Sequence, residues 1–497
     1  MFRTVLVANR GEIAVRILRT LREMGIRGIA VYSDADRGAP HVAAADEAVH
    51  LGGAEPAESY LDAAKLVAAA RRTGAEAIHP GYGFLSERPA FARAVLDAGL
   101  AFVGPPPEAM ARLGDKLSAR RLAQSVGVPV VPGMTEPAGD PARLAEGAER
   151  LGYPVMLKAS AGGGGKGMRL VHGPAELAEA ARRGASEALA AFGDGTIYLE
   201  RALDRPRHVE IQVLADRHGH AVHLGERECS IQRRHQKLLE ETPSPAVDPE
   251  LRRRMGEAAL ALVRAAGYAG AGTVEFLVQP DGFHLLEVNA RLQVEHPITE
   301  ATTGLDLVRC QLEIAAGAPL RLRQEDVVPR GHALECRVYA EDPVRGFLPC
   351  AGRVLLARAP AGPGVRCDSG IASGTEVPVQ YDPILAKVVA HAASREAAIA
   401  RMIRALEECV VLGVPTPIEL LLDVLRSEPF RAGRTHIGFL EEHLAGWRPR
   451  EDAALDRLAA VGYVLAGATP RSGAAAVERP ATPWESLGAW DLAGRPR

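Results

Sequence analysis

Thr273-Val274-Glu275-Phe276-Leu277-Val278-Gln279 and Phe283-His284-Leu285-Leu286-Glu287-Val288-Asn289, with Pro280-Asp281-Gly282 between them, are the stretch from which the fold is read. Both arms alternate with the two-residue period of a β-strand, and the glycine suits the left-handed position of a three-residue hairpin loop. With Gln279 paired to Phe283, Glu275 stands opposite Glu287, their Cβ atoms roughly 5 Å apart. Facing carboxylates repel, so positive charge is expected between them. Beyond the second arm the alternation continues, with Glu287, Asn289, Arg291, Gln293 and Glu295 on one face and Val288, Ala290, Leu292 and Val294 on the other. A half-buried strand with a wet face would alternate too. Here the residue types decide. Glu275, Glu287 and Asn289 offer oxygen donors for a hard cation such as Mg²⁺, which accepts an incomplete protein cage when substrate phosphates complete it. Arg291 presents a planar fork for an anion, with Glu295 beside it as a base.

The chain has 497 residues, more than the ~250 to 300 at which one core stops growing, so two to four domains are expected. Apolar residues make up 47% of it, the formal net charge is −3, and no run is long and apolar enough to span a bilayer. Neither a membrane nor a nucleic acid is expected as a partner. Met1-Phe2-Arg3 leads into the strand-like Thr4-Val5-Leu6-Val7-Ala8 without the basic head and apolar run of a secretory signal, which points to a cytoplasmic enzyme. Cys229, Cys310, Cys336, Cys350, Cys367 and Cys409 lie without close pairs and read as small core residues. Of 59 lysines and arginines only six are lysine. A compact ammonium and a planar fork do different work, so lysines surviving in so arginine-rich a chain are candidates for phosphate or bicarbonate contacts. Lys116, Lys158, Lys166 and Lys237 fall in that group; Lys65, on a surface helix, does not.

Residues 1 to about 110 alternate strand and helix signals, the pattern of an open parallel sheet. Asn9-Arg10-Gly11-Glu12 lacks the glycine spacing of a dinucleotide site. A second unit near 115–330 contains a subregion from roughly 130 to 203, in which strands at 154–159 and 168–171 are joined by the glycine-rich loop 160–167. A P-loop would need Ser or Thr after the lysine and then a helix, so this loop reads as a flap whose backbone N–H groups fold over phosphates. From about 334 to 441 the chain turns strand-rich, with a helix at 395–408. The remainder, rich in Ala, Arg, Gly and Pro, carries Trp447, Trp484 and Trp490 and reads as a linker whose tryptophans dock on a partner or on the body of the protein.

Val7-Ala8-Asn9-Arg10-Gly11-Glu12-Ile13, the loop from His79 to Glu87, Lys158-Ala159-Ser160-Ala161-Gly162-Gly163-Gly164-Gly165-Lys166-Gly167, Arg233-Arg234-His235-Gln236-Lys237 and the run from Glu287 to His296 together resemble biotin carboxylase of the ATP-grasp superfamily. The likeness runs from residue 1 to about 445, and the glycine phrase and Tyr339-Ala340-Glu341-Asp342-Pro343 are most similar to the biotin carboxylase portion of acyl-CoA carboxylase α chains. The resemblance implies an α/β and α+β multidomain chain. It comprises an open parallel-sheet N-terminal domain (1–112), an ATP-grasp domain (113–330) with a mobile glycine-rich lid (about 130–203), a mixed or antiparallel C-terminal biotin carboxylase domain (331–441) and a tail (442–497).

By the same resemblance, ATP is held by Lys116, Lys158, Gly163, Gly164, Gly165, His208, Gln232 and His235, with Glu200 and Leu203 lining the adenine pocket. Glu275, Glu287 and Asn289 hold Mg²⁺, with Mn²⁺ as the alternative ion. Bicarbonate lies against Lys237, Arg291, Gln293 and the backbone of Val294. Glu295 removes its proton, Arg337 steadies the enolate-like oxygen of biotin, and Tyr82 helps place biotin. No lysine follows Lys387, so the Ala-Met-Lys-Met turn of a carrier domain is missing. Biotin is therefore expected on a biotin carboxyl carrier protein of another chain. The further expected partner is a carboxyltransferase subunit, and the expected assembly is a homodimer. The rival expectations are a carbamoyl-phosphate type ligase, which passes carboxyphosphate to ammonia, and a non-catalytic scaffold subunit.

Overall fold

Five strands, β1 (Thr4–Val7), β2 (Arg27–Ser33), β3 (Glu47–Gly52), β4 (Ala77–His79) and β5 (Ala101–Phe102), form a wholly parallel sheet in the order β3-β2-β1-β4-β5. Helices Gly11–Glu23, Ala63–Thr73 and Pro89–Asp97 lie between successive strands. The first of them buries Ile13, Ala14, Ile17, Leu18 and Leu21, the 3.6-residue stripe that covers a sheet face. Four of these strands stand where the alternation places them. The sequence reading misses the edge strand β3, because only Val49 and Leu51 in it are buried apolar residues and its polar residues mask the period. This computed structural model describes residues 1–137, 140–160, 167–450, Leu458 and Val461, and the chain divides into the units Met1–Trp447 and Arg448–Arg497.

A small antiparallel sheet follows, β6 (Val155–Ala159), β7 (Arg169–Val171) and β8 (Ile197–Arg201) in the order β7-β6-β8. With helices Pro141–Leu151 and Pro174–Phe192 it encloses its own core of Leu144, Ala148, Val155, Leu157 and Leu199. Gly163, Gly164, Gly165 and Lys166 lie outside the described residues.

The largest element is an eight-stranded sheet in which every neighbouring pair is antiparallel. Its strands are β9 (Arg207–Ala215), β10 (Ala221–Arg233), β11 (Gln236–Thr242), β12 (Gly270–Gln279), β13 (Gly282–Asn289) and β14 (His332–Tyr339), then Val365–Ser369 and Ile384–Ala392. From edge to edge the order is β13-β12-β9-β10-β11-β14, then Ile384–Ala392 and Val365–Ser369. The sheet spans the expected boundary at 330, because β11 pairs with β14 beyond it, Leu239 with Cys336 and Thr242 with Ala333. Charged side chains on β9, β11, β12 and β14 therefore stand in fixed registry.

The hairpin corrects two sequence expectations. Gln279 pairs with Gly282 rather than Phe283, so the loop is the two residues Pro280-Asp281. Glu275 nevertheless faces Glu287, because a bulge between Glu275 and Phe276 takes up the extra residue on β13. The second strand also stops at Asn289. Residues 290–295 are a loop that runs into the helix His296–Thr303, so Arg291, Gln293 and Glu295 do not share a strand face. Positive charge stands against each of the two carboxylates: Lys237 at 2.8 Å from Glu275 and Lys116 at 3.5 Å from Glu287.

Candidate active site

Tyr82, Lys116, Lys158, Glu200, Leu203, His208, Gln232, His235, Lys237, Glu275, Glu287, Asn289, Arg291, Gln293, Val294 and Arg337 all line one cleft of about 370 Å³. They come from the loop after β4, the start of the helix Lys116–Ser125, the small sheet and the loop after it, the large sheet and its β10–β11 turn, and the 290–295 loop. Glu295 is fully buried at one end, in contact with two of the lining cations. Thus the site residues singled out from sequence are gathered in one place, apart from Gly163, Gly164, Gly165 and Lys166, which lie outside the described residues.

Lys237 is the centre of the charged end. Its ammonium donates to Glu210 Oε2 at 2.5 Å, Glu295 Oε1 at 2.6 Å and Glu275 Oε1 at 2.8 Å. Arg337 donates to Glu240 Oε1 at 2.6 Å and Glu295 Oε2 at 2.8 Å. Behind them Arg227, with no exposed surface, meets Glu210 at 2.6 Å, Gln212 at 2.7 Å and Thr299 at 2.9 Å. Four carboxylates here face three cations, so they cannot all stay ionised alike. Burial acts to raise each of them. For Glu295 it is outweighed by Lys237, Arg337 and Arg227, and for Glu275 by Lys237 and His208, so both titrate below the ordinary range. Glu210 is pushed up by burial and by Glu295 against the pull of Lys237 and Arg227. Burial lifts Glu240 to about 7 despite Arg337, with Glu295 adding to the rise.

Arg291 is set by its neighbours: Nε donates to Glu87 Oε2 at 2.8 Å, Nη1 to Gln293 Oε1 at 2.7 Å and Nη2 to Asn289 Oδ1 at 2.8 Å. His208 Nε2 lies 3.2 Å from Glu275, and its Nδ1 meets Gln232 at 2.9 Å. Lys158 is paired with Glu200, which also receives Arg120 at 2.8 Å. His235 and Arg234 form the turn between β10 and β11, with φ of 64° and 45°. Both residues of such a tight hairpin need positive φ, which normally selects Asn-Gly. Two large side chains there cost backbone strain, and the result is that His235 faces the cleft.

Sequence reading misses several participants. Glu210 shows only as part of the alternation His208-Val209-Glu210-Ile211-Gln212, and Glu240 stands in the polar run ending β11. Lys387 is visible as one of six lysines, yet no motif around it marks a role. It is fully buried, 3.1 Å from Glu12 Oε2, and donates to the Val294 carbonyl at 2.9 Å. Glu12 in turn accepts the Tyr82 hydroxyl. Trp447 takes one of the two expected docking places, the body of the protein: it is half-buried, and its indole N–H donates to Asp423 at 2.9 Å. Trp484 and Trp490 lie outside the described residues.

Residues 1–110 match the biotin carboxylase N-terminal domain, 115–323 the ATP binding domain of the carbamoyl-phosphate synthase L chain, and 335–442 the biotin carboxylase C-terminal domain. The biotin carboxylase of Allochromatium vinosum is 49% identical over 445 residues, spanning 89% of this chain and 99% of that protein. The chain belongs to the biotin carboxylases. This family is one of ATP-dependent ligases within the ATP-grasp superfamily. Another relative, a pyruvate carboxylase subunit of Methanothermobacter thermautotrophicus, is 48% identical over 446 residues, 90% of this chain and 91% of its own length. The biotin carboxylase domain dimer of Hydrogenobacter thermophilus 2-oxoglutarate carboxylase, solved with MgADP, ADP and bicarbonate, aligns with a TM-score of 0.89 at 43% identity, covering 91% of this chain and all of that one. The biotin carboxylase of Campylobacter jejuni aligns at 0.87 and 42%, covering 89% and 99%.

Proposed function

We propose that the cleft carries out the ATP- and bicarbonate-dependent carboxylation of biotin on a carrier protein, as the biotin carboxylase component of an acyl-CoA carboxylase. The observation that carries this reading is Glu295 held between Lys237 and Arg337 at one end of a cleft whose wall supplies Glu275, Glu287 and Asn289. Glu275 and Glu287 oppose each other across the hairpin with Asn289 two residues on, a hard-oxygen set that fits Mg²⁺ or Mn²⁺. Such a cation, when bound, neutralises phosphate charge during transfer.

Lys116, Lys158, His208, Gln232 and His235 take the ATP phosphates and ribose, while Glu200 and Leu203 face the base. Gly163, Gly164 and Gly165 keep the flap role read from sequence. Lys237, Arg291, Gln293 and the Val294 backbone receive bicarbonate, and Lys387 fixes the loop that carries the last three. In the resting site Glu295 is a weak base, because both its oxygens are in ion pairs. An entering anion draws Lys237 and Arg337 toward itself, which frees Glu295 and raises its basicity where the proton is to be taken. The deprotonated oxygen attacks the γ-phosphorus and ADP leaves. The carboxyphosphate so formed splits into CO₂ and phosphate, phosphate takes the biotin N1′ proton, Tyr82 helps seat the ring and Arg337 stabilises the ureido oxygen while N1′ captures CO₂.

In this reading the working unit is a homodimer in the cytoplasm, with carrier and carboxyltransferase as partner chains, and the functional division follows 1–112, 113–330, 331–441 and 442–497. No helix among the described residues is long and apolar enough to cross a membrane. The test is ADP release with Mg²⁺ and ATP, with and without bicarbonate and free biotin. Release that needs bicarbonate and rises with biotin supports the assignment; release stimulated by ammonia instead moves it to the carbamoyl-phosphate type. Reconstitution with candidate carboxyltransferases, offered an acyl-CoA, pyruvate or 2-oxoglutarate, decides the final acceptor. The latter two are the acceptors in the names of the relatives.

A further inference from the structure

Leu203, Pro206 and Ile437 line the same cleft from two distant parts of the chain, and what joins them lies at its rim. Arg205 occupies the left-handed backbone region at φ 44°, which an arginine adopts only where its surroundings hold it there. From that bend Nη2 donates to Glu442 Oε1 at 3.0 Å. The other oxygen of Glu442 faces His436 Nε2 at 3.1 Å. Arg205 Nη2 also lies 3.2 Å from His436 Nε2 and the Gly438 N–H donates to His436 Nδ1 at 3.2 Å, so the ring stands between the arginine and the carboxylate with its orientation fixed from both nitrogens. Glu442 is thus gripped on both oxygens, with His443 Nε2 3.6 Å away on its outer side. Between the partners the Ile437 N–H donates to the Pro206 carbonyl at 3.0 Å, and Arg207 holds the Gly433 carbonyl with both terminal nitrogens at 2.9 Å. The ligand atoms of His436, Glu442 and His443 lie within 4.8 Å of one another, but an arginine already set against both the carboxylate and His436 Nε2 makes this a closed ionic cluster rather than a cation site.

We propose that Arg205, Glu442 and His436 form a latch that fixes the base-side wall of the nucleotide cleft and so sets affinity for ATP, without taking part in phosphoryl transfer. The proposal rests on the reading of this cleft as an ATP site. The latch residues are positioning residues: they act through Ile437 and Pro206 and touch no reacting atom.

Arg205→Ala and Glu442→Gln test it in the full chain. Their side chains are 57% and 39% exposed, so the substitutions leave the core intact, as thermal unfolding will verify. ADP formation is measured against ATP at saturating bicarbonate and biotin, and MgATP binding is titrated directly. The expected result is a KM for ATP raised about five- to tenfold, with kcat and the KM for bicarbonate within about twofold of the parent and partial recovery in Arg205→Lys. Unchanged ATP affinity in both variants, or a fall in kcat at constant KM, overturns the latch. A parent protein whose ADP release ignores bicarbonate undoes the functional reading instead, and the direct titration then still tests the latch by itself.

Discussion

At the charged end of the cleft, Lys237, Arg337 and Arg227 are buried and each already holds a carboxylate at 2.6 Å or less. At the other end Leu203, Pro206, Leu277, Leu286 and Ile437 offer an apolar wall held from the rim. The first has desolvated its charges during folding, so an incoming anion exchanges one ionic partner for another instead of stripping water from free ions. The second has only contact area to offer, and its grip depends on how well its two halves are held together. Perturbing the charged end should therefore change turnover. Perturbing the apolar end should change KM.

Glu295→Gln is the largest expected effect. It keeps the volume and one hydrogen-bonding oxygen but removes the base, so bicarbonate-dependent ADP release should fall by roughly 10²- to 10⁴-fold. A variant with parental turnover would break the comparison outright. Arg337→Met comes next. If Arg337 serves the ureido oxygen, carboxylation of biotin should drop by about 10²- to 10³-fold while any bicarbonate-dependent ADP release measured in the absence of biotin persists. Equal loss of both would place Arg337 in the bicarbonate step alone.

Glu240→Gln sharpens the comparison through pH. Burial raises the folded-state titration of Glu240 to about 7, despite Arg337, above the ordinary carboxylate value. The folded protein therefore holds a proton through a window in which the unfolded chain has released it. That contribution to stability is full below about 4.5 and is lost as pH rises toward 7. Replacement by glutamine removes the dependence, so the stability difference, parent minus variant, should decline as pH rises from about 5 to 7 and then level off. Denaturant titrations at several pH values check it, and a difference independent of pH would mean that Glu240 stays ionised throughout.

The two ends also differ in how far the sequence discloses them. Alternation along residues 273–289 and the survival of a few lysines lead to Glu275, Glu287, Asn289, Lys116, Lys158 and Lys237, while groups such as His208, Gln232, His235 and Arg337 are reached only through the resemblance to biotin carboxylase. The facing of Glu275 and Glu287 is legible, although a bulge and a two-residue turn replace the three-residue loop expected for it. Less visible are groups whose role is to hold another group. Lys387 and Glu210 acquire meaning only when separate strands, helices and loops meet, which sequence spacing does not encode. Arg205 and Glu442 are separated by 237 residues, and nothing in either neighbourhood announces the pair. The N-terminal sheet is readable for the opposite reason: its strands are short, buried runs between amphipathic helices, and only the edge strand β3, with a mixed face, escapes.

The smallest expected effect belongs to the apolar wall itself. Ile437→Ala removes three carbons from a surface that the base would cover, while the backbone bond from its N–H to Pro206 remains. At about 0.8 kcal/mol for each fully buried methylene, and with Ile437 only half-buried before a ligand enters, the KM for ATP should rise by about fivefold and kcat should hold. Combined with Arg205→Ala, the two increments should fall short of their product, because both act on the same contact. Full additivity would show that the rim cluster and the wall serve ATP independently, and the contrast between a rigid charged end and a latched apolar end would have to be redrawn with Arg205 on the ligand side.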